Sequence, residues 1–501
     1  MKIRVYFIII ISLVVFLSCG KRRGEEPQEK ILVTISDKTI SVDEFKYRTE
    51  LTVRPIFPGK NPDNLKKTYL NNLIIEKLFS LESGDNNKVV QNKSFQAYLK
   101  GIKEQLMREE LYYREAFNKV ALDTNEIKKV YNLASREYQL AFFSIHNSDL
   151  AEKIQSAIDA EPDSIDLIFE DLTKLAGKSF EQTVKYKDPE NLAIHEALFS
   201  EPVEPGTIIG PLKIEDDYYL IMKVIDFKYI PAIGGEDMQN RWREVSEKMK
   251  QNKAIHLWEG YIKEVMKGKK IKFEKPVFDK LADLFLTIKL ATTKEEKKAV
   301  SKKFWQNEEA DLTIETIDSK EAILDLPFFT IDDRVWTVRD FRNELMSHPL
   351  VYRKQKIEKK EFKQQFQYAI ADLIRDHYLT KEAYNSSLNK SPKVRRRTEM
   401  WKDSYVAINH RDEILKQSAE NVNIDSTNES ERIKYFAGYI SSLQKKYSDL
   451  ITIDSEALDN IKLTNVNLFV IQQHVPFPVV VPSFPVLTNN SRLDYVNNFQ
   501  N

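Results

Sequence analysis

Eight side chains in this chain of 501 residues are thiols or imidazoles, the groups most readily drawn into nucleophilic, general-base or soft-metal chemistry near neutral pH. They are the single cysteine, Cys19, and seven histidines: His146, His195, His256, His348, His377, His410 and His474. No two histidines stand four apart, the spacing that puts a pair on one helical face for zinc. None lies in a serine or cysteine nucleophile context. Beyond Cys19 no thiol remains, so disulfides and thiolate metal sites are excluded from the rest of the chain. The thirteen glycines form no phosphate-cradling loop. Hydrolase and metalloenzyme chemistry find little footing, and no cofactor or metal is expected.

Cys19 is therefore the residue with a chemistry to explain. A short basic start (Lys2, Arg4) precedes an apolar run from Val5 to Leu17, then Ser18-Cys19-Gly20 and the cations Lys21, Arg22 and Arg23. The run is too short to cross a bilayer, which needs ~20 apolar residues, and its layout is that of an export signal. It resembles a bacterial lipoprotein signal, cleaved before Cys19, whose thiol and amine would then be acylated. Phe16 departs from the usual leucine three places before the cysteine, although Leu17 follows at once. A plain secretory signal and an uncleaved anchor are the other readings. Gly20 lacks the acidic side chain that the lipoprotein sorting rule associates with inner-membrane retention, so the outer membrane is favoured.

Removing residues 1–18 takes away Lys2 and Arg4 and leaves 74 basic against 76 acidic side chains. A chain so balanced has no global field to grip nucleic acid or an anionic surface. An apolar fraction of 42% is ordinary, whereas 30% charge suits long solvated helices better than one compact core. The length implies roughly three domains.

The elements follow from pattern. Residues 19–30 are polar and charged and read as a tether, spanning up to ~35 Å at full extension. Ile31 to Ile35 begins a strand, Asp37-Lys38 turns, and Ile40 resumes it. Ser41 then caps a helix opening at Val42. Helices follow over Asn71–Leu81 and Leu99–Phe117, and another begins after Asp123. Tyr138–Ile145 and Tyr218–Val224 read as strands, with helices over Asp149–Ile158 and Phe169–Leu175 between them. After Gly234-Gly235 a long helix runs from Met238 to Met266 and stops at Gly268. Its apolar stripe suggests a seam against the earlier helices. From Asn467 the chain turns proline-rich (HVPFPVVVPSFPV), suiting an edge strand or a polyproline arm.

Two segments repeat. Residues 33–46 (VTISDKTISVDEFK) align without a gap on 329–342 (FTIDDRVWTVRDFR), with Thr34, Ile35, Asp37, Val42 and Phe45 identical to Thr330, Ile331, Asp333, Val338 and Phe341. Farther on, LIIEKLFSLE (73–82) aligns with LIRDHYLTKE (373–382). Each half thus holds a strand-turn-helix unit followed by further helices. The fold class is α+β, mainly helical.

This order of strand-turn-helix, helical block, mixed insert and returning long helix resembles the SurA and PrsA family of periplasmic foldases. ISDKTISVDEF looks like the family's opening, ALDTNEIKKVY (121–131) like the approach to its isomerase domain, and FSEPVEPGTIIGPLKIEDDYYLIMKV (199–224) like the parvulin ending. The resemblance covers roughly residues 31–280, and the repeat extends it to about 415. It implies a signal peptide (1–18), a lipidated tether (19–30), an N-terminal helical lobe (31–133) and an inserted parvulin-like domain (134–229). A returning helix (235–280), a second lobe (281–430) and a C-terminal segment (431–501) complete the layout. Parvulins place one histidine in the first strand and another in the last; here those positions are Phe142 and Leu220, and the central glycine pair is absent. Neither side chain is polar, as lowering the ~20 kcal/mol amide barrier would require. The family reading therefore implies a lipid-anchored holdase for exported unfolded polypeptides, outer-membrane proteins among them, with a silent isomerase-like domain. An assembly lipoprotein with one dedicated partner and an active prolyl isomerase are the alternatives. Arg395-Arg396-Arg397 reads as a solvated helix face, or as a contact for lipid head groups or an acidic client.

Overall fold

In a computed structural model, residues 29–493 are described, apart from 86, 177–178, 190, 216–217, 291–322, 355, 420–427 and 465–467. The signal and Cys19 lie outside the described residues. The described chain is mainly helical with small antiparallel sheets, and it divides into two compact units. One comprises residues up to Leu111 together with those from Val265 onward, and the other runs from Tyr112 to Glu264.

In the first unit, β1 (Ile31–Ile35) and β2 (Lys38–Ser41) form a hairpin that feeds α1 (Val42–Glu50), as the turn and cap residues predict. Ser36 adopts a φ of 55° at the turn, and the Ser41 hydroxyl accepts the Glu44 amide at 3.0 Å, closing the first helical turn. Next come α2 (Pro62–Ser83), α3 (Lys88–Gln91) and α4 (Lys93–Glu115). Asn61 caps α2 and Pro62 opens it, nine residues before the expected Asn71.

A second hairpin feeding helices stands beyond residue 326. Strands β8 (Pro327–Ile331) and β9 (Arg334–Thr337) lead into α11 (Val338–Ser347), α12 (Phe362–Asn385) and α13 (Pro392–Ala419). The turn again carries positive φ, 49° at Asp332 and 58° at Asp333. Thr337 and Asp340 build a reciprocal capping box, the hydroxyl accepting the Asp340 amide at 3.1 Å. Each hairpin gains a third strand: β10 (Ile451–Ile453) beside β1, and β7 (Lys272–Phe273) beside β8.

The third helices cross over. On α4, Arg108 donates to Thr380 of α12 at 2.8 Å and pairs with Asp376 at 3.5 Å. On α13, Asp403 lies against Lys77 and Ser80 of α2. Between α4 and α13, Arg397–Glu109 (2.8 Å) and Lys393–Glu110 (3.1 Å) join one end, and the Tyr98 and Tyr405 rings (5.4 Å) join the other. The Arg395–Arg397 run is thus no uniformly solvated face, since Arg397 holds Glu109 and Arg396 holds Glu29.

The proline-rich tail forms no edge strand among the described residues. Apart from one bridge, Ile471 to Val479, side chains hold it: the Asn72 amide oxygen accepts the Leu487 and Thr488 amides at 2.7 and 3.0 Å, and its NH2 donates to the Thr488 carbonyl. Arg48 donates to the Ser483 carbonyl, and Phe484 packs edge-on to Tyr69. Prolines cost the tail the amides a ladder needs, so α2 supplies paired donor and acceptor groups instead.

In the second unit, β3 (Arg136–Ile145), α6 (Ser148–Ala160), α7 (Ser164–Ala176), β4 (Phe180–Lys185), α8 (Leu192–Phe199), β5 (Ile208–Glu215) and β6 (Tyr218–Tyr229) build an antiparallel sheet of order β4-β3-β6-β5. Alternation sorts its faces. Ala141, Phe143, Ile145 and Ile221 pack under α6 and α7. Tyr138, Leu140, Val184, Met222 and Val224 pack with α8, α5 (Thr124–Leu133) and α9 (Gly235–Val265). The stripe of α9 therefore seals this sheet, through Trp242, Val245 and Met249. It also meets earlier helices, as its spacing suggested, with Trp258 edge-on to Tyr112 of α4 at 5.6 Å and Trp242 beside Tyr131 of α5 at 6.1 Å.

Candidate functional site

Phe142 and Leu220 lie on one face of this sheet, one alternation step apart, since Phe142 pairs with Met222 and Ser144 with Leu220. Opposite Phe142 on the edge strand stands Phe180, with the rings stacked at 5.9 Å and 30° and Phe180 65% exposed. At the far end the His146 imidazole stacks on Tyr218 at 4.8 Å, while the Tyr218 and Ser144 hydroxyls meet at 3.3 Å. Leu212 and Ile209 of β5 border Leu220 and Met222. The result is an aromatic and aliphatic strip, partly open at Phe180 and bounded by one exposed edge strand. Aromatic rings bind apolar segments with little loss of side-chain freedom, and β4 offers unpaired backbone groups to an extended chain. Among the described residues the strip's titratable groups are His146 and Tyr218, with the imidazole lying flat on the phenol.

Behind the strip His195 is buried on α8. The Asn252 side-chain amide meets Nδ1 at 3.0 Å, and Nε2 has no hydrogen-bond partner. Tyr186 and Phe199 enclose the ring. Burial, with Lys248 acting in the same direction, pushes the imidazole down to about 4. Below pH 6.5 the unfolded chain takes up a proton that the folded one refuses, so stability present at neutral pH falls as pH drops toward 4. Unfolding of this unit should lose roughly 2–3 kcal/mol across that window. His195→Leu should flatten the slope; an unchanged pH dependence in denaturant melts would show that another group sets it. Sequence reading assigned His195 no role, because nothing local to it signals its burial.

The first unit holds a cavity of about 820 Å³ with a charged lining. Its lining carries the cations Lys38, Lys103, Arg395, Arg396 and Lys402 and the acids Asp37, Asp85, Glu399 and Asp403. Most of these charges are already matched. Lys38 and Lys77 grip Asp403 at 2.6 and 3.0 Å, and Lys402 reaches Asp85 at 3.4 Å. Among the described residues no cluster of histidine, cysteine and acidic side chains could hold a metal, and no helix is long and apolar enough to cross a membrane. No protein-family model matches the chain, and no curated protein matches it.

Proposed function

We infer that this chain is a lipid-anchored holdase on the periplasmic face of a bacterial membrane, the outer membrane being favoured. It binds exported polypeptides before they fold, and its insert is a parvulin-like domain without catalysis, as in a SurA- or PrsA-like protein. The observation that carries the reading is the strip around Phe142, Phe180, Tyr218 and Leu220: apolar where an isomerase would need polar groups, and open to solvent at Phe180. The order β-α-α-β-α-β-β, with the first strand beside the last, supports the parvulin-like assignment. The matched turns and caps at Ser36–Ser41 and Asp332–Thr337 support a duplicated lobe. Acylation of Cys19 would hold both units near the bilayer, with unfolded polypeptide as partner and no nucleic acid.

A rotamase assay separates this reading from an active enzyme. The chain from Gly20, which keeps every described residue, should not accelerate cis–trans exchange of a proline tetrapeptide above background. Isomerisation is slow without catalysis, taking tens to hundreds of seconds, so even weak activity would be visible. A clear acceleration would assign catalysis to the strip and end the silent-domain reading.

A further inference from the structure

Two loops at the C-terminal end of α1 carry large apolar side chains outward. Ile56 is 79% exposed, Val53 61% and Phe469 58%, with Leu468 and Ile471 beside Phe469 also exposed. The loops lie side by side, since the Val470 amide donates to the Leu51 carbonyl at 3.2 Å. Their exposure is not fraying, because alternate residues are pinned. Thr52, Arg54 and Phe57 are buried; Arg54 donates to the Thr464 carbonyl at 2.8 Å, and the Tyr69 hydroxyl donates to the Pro55 carbonyl at 3.2 Å. Single exposed apolar residues are ordinary, but a cluster held outward marks a contact surface.

The proposed acylation of Cys19 argues for what the surface meets. Glu29 bonds Ser41 and Arg396 at the other end of α1, and nine residues of helix separate that end from the patch, about 14 Å. From Cys19 to Glu29 ten residues reach at most ~35 Å, so an acylated Cys19 confines this end of the unit to the neighbourhood of the bilayer.

We propose that Val53, Ile56, Leu468, Phe469 and Ile471 form a membrane-docking surface that inserts into the head-group region of an anionic lipid bilayer. The choice of a lipid surface over a polypeptide rests on the anchor reading of Cys19. Docking would fix the orientation of the first unit, which acylation at a single residue leaves free.

The test uses the unacylated chain from Gly20 and vesicles of phosphatidylethanolamine and phosphatidylglycerol. The chain should float with the vesicles, and the triple variant Val53→Asp, Ile56→Asp, Phe469→Asp should do so about tenfold less, because insertion scales with apolar area. As the chain from Gly20 has no cysteine, Phe469→Cys can carry one polarity-sensitive dye. The dye should brighten with vesicles, and a dye at Val335→Cys, exposed in the second hairpin, should not. This readout stands even where the triple variant fails to fold. Absence of flotation, or flotation equal in wild type and a folded triple variant, overturns the proposal, as does an unresponsive dye at position 469. So does a triple variant that loses only protection of unfolded polypeptide. Palmitate labelling of Cys19 reads the anchor separately: an unlabelled Cys19 removes the anchor and leaves the flotation result to decide the surface.

Discussion

Asp403→Ala is expected to destabilise the first unit by about 3–5 kcal/mol, the cost of removing one partner from a buried ion pair. The carboxylate is buried and accepts from Lys38 at 2.6 Å, Lys77 at 3.0 Å and Ser80 at 2.7 Å. Lys77 also meets Glu44 at 2.9 Å, and Arg48 grips Glu76 through two bonds of 2.7 and 2.9 Å nearby. Alanine strips Lys38 of this counter-charge and leaves Lys77 with Glu44 alone. Against burial, which would raise it, Lys77 and Lys38 hold the Asp403 carboxyl below its ordinary range. The stability it contributes is therefore complete above the unfolded value of ~3.9 and lost only as pH falls through the lower folded value. Urea melts near neutral pH should show the full loss. A change under about 1 kcal/mol, the scale of an exposed pair, would mean that the network is solvated.

Gly101→Ala is the second large effect expected. Gly101 lies inside α4, where alanine ordinarily gains about 1 kcal/mol over glycine. Here a Cβ would overlap the Ser347 carbonyl oxygen and the Phe477 ring. Relief requires moving the end of α11 and the buried tail off α4, so the sign reverses, and a loss of roughly 2–4 kcal/mol is expected from forced overpacking. Gly260, on α9, meets nothing within 4 Å, so Gly260→Ala should gain the ordinary increment. Equal and opposite shifts in melting temperature are not needed; opposite signs are. A stabilising Gly101→Ala would contradict the close approach.

These two residues also mark where sequence stops speaking. The hairpin into α1 was legible because turn, cap and apolar alternation all fall within a dozen residues, and α1 begins at Val42 as expected. The second hairpin was legible through its likeness to the first. The strand holding Phe142 was read from its apolar run, and β6 likewise, although β6 continues to Tyr229 past the expected Val224. By contrast Lys77 and Asp403 stand 326 residues apart, and no local pattern announces such a pair. High charge content suggested solvated helices, yet Arg48, Glu76 and Lys77 are buried because their charges are matched inside the fold. Phe180 was overlooked since its strand is short and mostly exposed; only the register with Phe142 makes the pair visible. The tail was legible only in part, for a related reason. Its prolines forbid a ladder, and the asparagines that replace the ladder lie on a helix more than four hundred residues earlier.

Light scattering from an unfolded outer-membrane β-barrel protein tests the holdase reading most directly. The chain from Gly20 at several-fold excess should slow aggregation of that client and of unrelated unfolded proteins. Affinity should be around micromolar, since a client that stays disordered gains little per unit of interface. Protection should change little with salt, because the chain is nearly neutral and apolar burial drives the contact. Protection of several unrelated clients is the result this account predicts. Failure to protect any of them, with one stable partner recovered instead, would contradict it and make the chain a dedicated assembly factor.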